Sequence, residues 1–271
     1  YLSVDTDPNG ERLKRELIKI FQAGKVKIID HGDCKDANEV LLKHGKEKLK
    51  ELFEAAKEVK QEGIFEANDF FDEISDSYLY GQPVGTTTYF PEIDHHFKHR
   101  SGEVTIWTGY NNEGKSLFLK QLFLIKSKFE GWNHAFFTPE EMPFSEWYTD
   151  LLESYVGLSA DKDQKPFGNY MNESQFRNGL EFVNKHFFVV HPEEDQTIDE
   201  LLVRFSYLVR KNDIKTVTID PYNQVQHMMK PGEREDLYIS RFMTKLKRFA
   251  VSHDVAVHLV AHQNTPMNPR E

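Results

Sequence analysis

The sequence predicts an α/β fold built on a mostly parallel sheet with helices on both faces, and three observations carry that prediction. From residue 102 onward, short apolar runs alternate with amphipathic stretches in the order strand, helix, strand, helix. The run Gly109-Tyr110-Asn111-Asn112-Glu113-Gly114-Lys115-Ser116 fits GxxxxGK[ST] in the setting that motif needs, a strand-like 103–107 before it and a helical 117–123 after it. The 271 residues are 39% hydrophobic and 13% aromatic, enough to build a real core in one large or two modest domains.

In chain order, residues 1–4 read as a strand, 5–10 as a turn, 11–21 as a helix with Leu13, Leu17, Ile18 and Phe21 on one face, and 26–29 as a second strand. A short helix over 37–43 is stopped by Gly45. Residues 46–61 are densely charged, with a narrow apolar stripe of Leu49, Leu52, Phe53 and Ala56, as in a solvated helix that docks by one face. Between 61 and 97 stand eight acidic residues and no Lys or Arg, the composition of a linker. Beyond it, strands are expected at 104–108, 134–138, 187–190, 216–219 and 256–261. Helices are expected at 116–128, 146–157, 173–185, 198–212 and 236–253.

A net charge of −10 argues against non-specific coating of nucleic acid. The single cysteine, Cys34, excludes an intrachain disulfide and carries no catalytic pattern. With neither a signal-peptide core nor a bilayer-length apolar run, the chain reads as a soluble, intracellular type of protein with no membrane partner.

The chemistry begins at the glycine-containing loop. Amides of such a loop and of the following helix N-terminus cradle phosphates, with Lys115 reaching the β- and γ-phosphates and Ser116 holding Mg²⁺. Gly109, Asn111, Asn112, Glu113, Gly114 and Leu117 complete this site for ATP or another nucleoside triphosphate, and Glu113 places an acid beside the anion. Asp220, ending the apolar run 216–219, is the partner acid for the metal's water shell. Glu140 and Glu141 end another strand, where a carboxylate orients water toward the γ-phosphate. His262 ends the last strand, where a neutral donor can sense that phosphate.

The ordered set of this loop, strand-Pro139-Glu140-Glu141-Met142, strand-Asp220-Pro221-Tyr222-Asn223, Glu235-Asp236-Leu237-Tyr238-Ile239-Ser240, Lys247-Arg248-Phe249-Ala250 and Leu259-Val260-Ala261-His262 resembles the RecA-type motor of DnaB-like replicative helicases, in their Twinkle-like and phage primase-helicase branch. The likeness covers residues 81–271 and implies a RecA-like P-loop αβα sandwich. It implies Glu141 as catalytic glutamate, His262 as γ-phosphate sensor, and an NTP-driven motor that unwinds duplex as a hexameric ring around single-stranded DNA. DNA-contacting loops are implied after Asp220, holding Lys230 and Arg234, and after His262, holding Asn264 and Arg270. Residues 221–250 carry six basic against three acidic residues, which suits a single-stranded backbone.

Residues 1–45 are similar to the second half of a TOPRIM domain, through Asp5-x-Asp7-x-x-Gly10 and Lys35-Asp36-Ala37-Asn38-Glu39. That likeness implies metal-binding carboxylates at Asp5, Asp7 and Asp36 and a primase activity on the same natural polypeptide. For Asp5 and Asp7 an ordinary strand-end turn stands as the alternative. The expected organisation is a partial TOPRIM segment over 1–45, a linker helix and acidic linker over 46–80, and the motor over 81–271. The family's TOPRIM glutamate would precede Tyr1 and its arginine finger would follow Glu271, so this chain is expected to bind nucleotide and hydrolyse it poorly. A filament-forming recombination ATPase and a nucleotide-binding assembly module are the rival readings.

Overall fold

Two units make up the chain, Tyr1–Gln82 and Pro83–Glu271. The computed structural model describes all residues except 22–24, 60–62, 83, 194–195 and 264–271. Among the described residues, no helix is long and apolar enough to cross a membrane.

In the first unit, α1 (Pro8–Phe21) is capped by Asp7, whose Oδ1 accepts the Gly10 amide at 2.8 Å. The strand expected at 1–4 is reduced to a single bridge from Leu2 to Ile28, and β1 (Lys27–Ile28) pairs antiparallel with β2 (Lys57–Glu58). The helices expected at 37–43 and 46–61 form one run, α2 (Ala37–Glu54), interrupted where Gly45 adopts φ 84°. Only a residue without Cβ takes that conformation cheaply, so the break lies where the sequence put the stop. The run ends earlier than expected because the chain turns at Ala55 to form β2. Its apolar stripe differs from that of a free linker. Leu49 and Leu52 are half-buried, and the Phe53 ring lies 5.7 Å from that of Tyr1 within the same unit. The stretch read as acidic linker contains a 3₁₀ turn (Ala67–Phe70) and α3 (Phe71–Tyr80).

The second unit is a five-stranded, all-parallel sheet ordered β3 (Val104–Gly109), β7 (Ala256–His262), β6 (Ile214–Ile219), β4 (Asn133–Phe137), β5 (Phe187–Val189). Each strand lies within two residues of its expected bounds. Side chains alternate across it as the pleat requires. Ala135, Phe137, Val217, Ile219, Val257 and Leu259 meet α8 (Ile198–Asn212) and α9 (Glu235–His253) through Leu201, Phe205, Phe242 and Leu246. Phe136, Phe187 and Val260 meet α5 (Lys115–Glu130), α6 (Phe144–Val156) and α7 (Glu173–His186) through Leu122, Phe123, Trp147, Leu151 and Val183.

Residues 84–99, the last part of the acidic stretch and already assigned to the motor, belong to the second unit and include α4 (Pro91–Asp94). Thr86 bridges to His99, and Asp94 accepts hydrogen bonds from the Thr87 and Thr88 side chains and the Thr88 amide. Those bonds, Thr87's foremost, hold the Asp94 carboxyl down at about 2. Lys126 of α5, fully buried, donates to Thr86 Oγ1 at 2.9 Å and to the Thr87 carbonyl at 3.1 Å, and stands 4.0 Å over the Trp132 ring. The acid that composition assigned to solvent thus closes a turn.

Beneath α5, His99, His134 and His258 surround Phe123, whose ring centroid lies 4.6 Å from that of His134 and 5.1 Å from that of His258. Trp107 Nε1 donates to His258 Nδ1 at 3.0 Å, which fixes the proton of the neutral ring on Nε2. Burial pushes all three imidazoles down, His99 to about 4. Between the ordinary value of 6.5 and about 4, the unfolded chain therefore takes up protons that the folded chain refuses. Stability is full above that window and falls as pH drops through it. His99 alone is expected to remove about 2 kcal/mol at about pH 5. Urea midpoints at about pH 7.5 and 5 should show this drop, and His99→Phe should shrink it by a similar amount; an unaltered drop in the variant would exclude His99 as its source.

Candidate nucleotide site

Four of the five parallel strands deliver a candidate side chain to the same edge of the sheet, the carboxyl ends where open α/β sheets place their ligands. The loop after β3, the 3₁₀ turn Pro139–Glu141 after β4, Asp220 after β6 and His262 at the end of β7 all lie there. Gly109 of β3 stands opposite His262 of β7, and the Gln263 amide donates to the Gly109 carbonyl at 3.3 Å. Asn111, Asn112, Gly114, Lys115, Ser116, Leu117, Glu140, Glu141, Asn223 and His262 line one cleft of about 540 Å³.

Asn112 (φ 64°) and Gly114 (φ 80°) both take the left-handed conformation, turning the chain sharply so that α5 starts at Lys115. Lys115 Nζ donates to the carbonyls of Gly109 at 3.0 Å and Tyr110 at 2.7 Å, arching over the loop. Glu113 folds back into the same loop, its Oε2 accepting the Tyr110 amide at 2.7 Å. A carboxylate therefore occupies one of the donors that a phosphate-binding loop presents. The Ser116 hydroxyl lies beside Asp220, which is 7% exposed. Burial, above all, pushes the Asp220 carboxyl up, and the charges of Glu141 and Glu140 add to the rise while the Ser116 hydroxyl opposes it. A buried carboxylate facing two others beside a serine hydroxyl is a set that a divalent cation would neutralise, so these residues fit Mg²⁺.

The two glutamates have different partners. Glu141 Oε2 is 3.2 Å from Lys120 Nζ, an almost buried ammonium on α5 that also lies 3.5 Å from Asp150 Oδ2. Glu140 accepts from Gln224 Nε2 at 2.8 Å and stands 3.9 Å from His262 Nε2. Sequence reasoning passed over Lys120 and Asn223 as site residues. Lys120 lies five residues beyond Lys115 on the same helix, in an otherwise apolar stretch. Asn223 follows Asp220 by three, on the turn Tyr222–Gln224.

Of the described residues of the second unit, the DNA-contact candidates Lys230 and Arg234 are not among those lining this cleft. The Arg234 guanidinium binds Asp236 through Nε at 3.0 Å and Nη2 at 2.8 Å, and the Lys230 amide donates to Glu233 Oε2 at 2.8 Å. Asn264 and Arg270 lie outside the described residues. In the first unit, Lys35 Nζ lies 3.3 Å from Asp5 Oδ2 and 4.0 Å from Asp7 Oδ2, while Asp36 caps α2 by accepting the Glu39 amide at 2.7 Å. Among the described residues, Asp5, Asp7 and Asp36 do not converge as a metal-ligand group.

No protein-family model matches the chain. It is 32% identical over 233 residues to the Twinkle homolog protein, chloroplastic/mitochondrial, of Arabidopsis thaliana, covering 84% of this chain and 33% of that protein. It is 24% identical to the DNA helicase/primase of Enterobacteria phage T3, covering 98% of this chain and 47% of that protein. The chain thus spans between a third and a half of the length of these curated relatives. Among solved structures, one described as an ATPase domain superimposes with a TM-score of 0.59 at 16% identity, covering 75% of this chain and 72% of that one. At that identity the likeness carries the fold alone. The chain is homologous to the Twinkle-like and phage helicase-primase proteins, and its parallel sheet has the RecA-like α/β fold.

Proposed function

We propose that the second unit binds a nucleoside triphosphate with Mg²⁺ and hydrolyses it as the motor of a DNA helicase. The observation that carries this reading is the convergence of Lys115, Ser116, Glu140, Glu141, Asn223 and His262 on one cleft at the carboxyl edge of a parallel sheet. Loop amides and the start of α5 cradle the phosphates, and Lys115 turns from its own loop carbonyls to the β- and γ-phosphates. Ser116 and Asp220 hold the metal, which when bound offsets phosphate charge. Glu141 orients the attacking water and takes its proton, with Lys120 fixing the carboxylate's position. Glu140 stands 3.9 Å from His262 on the neighbouring strand end, and the imidazole reports the γ-phosphate to the loop that follows. Homology to helicase-primases supports single-stranded DNA as the track and a hexameric ring as the working assembly, with Lys230, Arg234 and Arg270 as backbone contacts.

Three sets of outcomes are expected. Glu141→Gln should leave nucleotide binding intact and lower single-turnover hydrolysis by about 10²-fold. Lys115→Ala should abolish binding itself, and Glu140→Gln should slow hydrolysis less than Glu141→Gln does. A rapid-quench measurement decides it, and the reverse ranking of the two glutamate variants would move the base to Glu140.

Glu113→Gln should tighten the nucleotide, by roughly three- to tenfold, because it removes a negative charge from beside the phosphates. A fluorescent-nucleotide titration reads this directly, and unchanged affinity would mean that Glu113 swings clear on binding.

The third set concerns DNA. Lys230→Ala with Arg234→Ala should weaken single-stranded DNA binding and reduce the slope of log K against log salt by up to about two phosphate contacts, with nucleotide affinity unchanged. An unaltered slope would place the DNA path elsewhere.

A further inference from the structure

A second constellation lies in the first unit. The loop between β1 and α2 carries Asp33 and Cys34, and α2 carries His44 immediately before the Gly45 break. One ligand atom from each of the three lies within 4.8 Å of the other two. Asp33 Oδ1 is 3.9 Å from Cys34 Sγ and 4.0 Å from His44 Nε2. Among the described residues, this is the group of three side chains gathered closely enough to hold a metal ion. No ion is present, and the chemistry of the donors decides what would fit.

A tetrahedral zinc ion, with bonds of about 2.0–2.3 Å, sets its ligand atoms about 3.5 Å apart, so closure requires the present triangle to contract by little. The side chains can supply that movement. Asp33 and His44 are 84% and 45% exposed, while Cys34, at 2%, is the fixed corner. The Cys34 amide is itself anchored to the His31 carbonyl at 3.2 Å. One sulfur, one imidazole nitrogen and one carboxylate form a borderline-soft set, which suits zinc and disfavours magnesium or calcium. Asp33 and His44 also line a cavity of about 770 Å³, together with His31, Ile28, Val40 and Leu52.

We propose that Asp33, Cys34 and His44 bind one Zn²⁺, with the fourth coordination position open toward this cavity for water or a small ligand. The thiolate and carboxylate together match the charge of the ion. Three protein ligands and one exchangeable position characterise zinc sites that do chemistry or take up a ligand, whereas purely structural sites use four protein ligands. None of the three residues is among those lining the candidate nucleotide cleft or belongs to the Asp5, Asp7 and Asp36 set. The Gly45 break is what makes it local. It stops the first segment of α2 one residue after His44, whose ring nitrogen lies within 4.8 Å of the ligand atoms of Asp33 and Cys34 in the loop before α2.

Cobalt(II) is the probe, added to the full chain after chelator stripping. One equivalent is expected to produce a thiolate-to-cobalt charge-transfer band in the near ultraviolet together with intense tetrahedral d–d bands, and Zn²⁺ should bleach both. Cys34→Ser should abolish the charge-transfer band. Because Cys34 is buried, that variant can also fail by misfolding, so His44→Ala and Asp33→Asn, both at exposed positions, are measured beside it with far-ultraviolet circular dichroism. Each is expected to weaken cobalt affinity by about tenfold or more while the fold persists. Absence of the charge-transfer band in the unaltered chain, or unchanged affinity in both His44→Ala and Asp33→Asn, would overturn the proposal.

Discussion

The parallel pairing of β3 with β7 is the constraint on which the second unit depends. These are the first and last strands of its sheet, and their register sets Gly109 against His262. The loop after Gly109 and the histidine at the end of β7 are brought together by this ladder and by no local sequence relation. The same register divides the two cores. A slip of one residue would turn Val257 and Leu259 away from α8 and α9, and expose His258 and Val260 to the wrong layer. Packing on both faces therefore enforces the geometry of the cleft, although few of the residues responsible touch it.

Charge inside the cleft is arranged as a set of internal partnerships. Lys115 is held by loop carbonyls, Glu113 by the Tyr110 amide, Glu141 by Lys120, Glu140 by Gln224 and His262, and Asp220 by Ser116. A buried polar group without a partner costs about 1–3 kcal/mol, so a cleft made of functional groups needs such mutual satisfaction to be stable by itself. Under the proposed function, an incoming phosphate and metal ion would exchange these partnerships for their own. The cost of exchange is greatest where the partner is most buried, at Asp220 and Lys120.

Local signals made most of the second unit legible in advance. Its strands are short apolar runs rich in β-branched and aromatic residues, its helices carry clear apolar faces, and the loop at Gly109 follows from residue types alone. Asp220, the pair Glu140 and Glu141, and His262 could be placed at one edge because strand ends in such sheets point there, whereas the choice of Glu141 over Glu140 came from the resemblance. Strand order could not be read, since it depends on which helices cross which face. Lys120 was hidden because a single lysine on a helix normally reaches solvent, and only packing reveals the acids beside it. The first unit was read less well for a related reason. Its two-residue strands have no periodicity to detect, and Asp7 and Asp36 serve as helix caps whose side chains accept amides of the helices that follow. Asp94 misled in the same way, counted as linker charge although hydrogen bonds consume it.

The bond between Trp107 and His258 has an optical consequence. All three tryptophans of the chain, Trp107, Trp132 and Trp147, belong to the second unit. Their surroundings differ: Trp107 donates to a neutral imidazole, Trp132 lies under a lysine ammonium, and Trp147 meets Phe136 edge-on. Indole emission from this protein is therefore a private signal of the second unit, blind to the first, whose aromatic residues are tyrosine and phenylalanine alone. Trp107 lies two residues before Gly109 on the strand that leads into the loop, so one native fluorophore sits next to the start of the candidate cleft without any label.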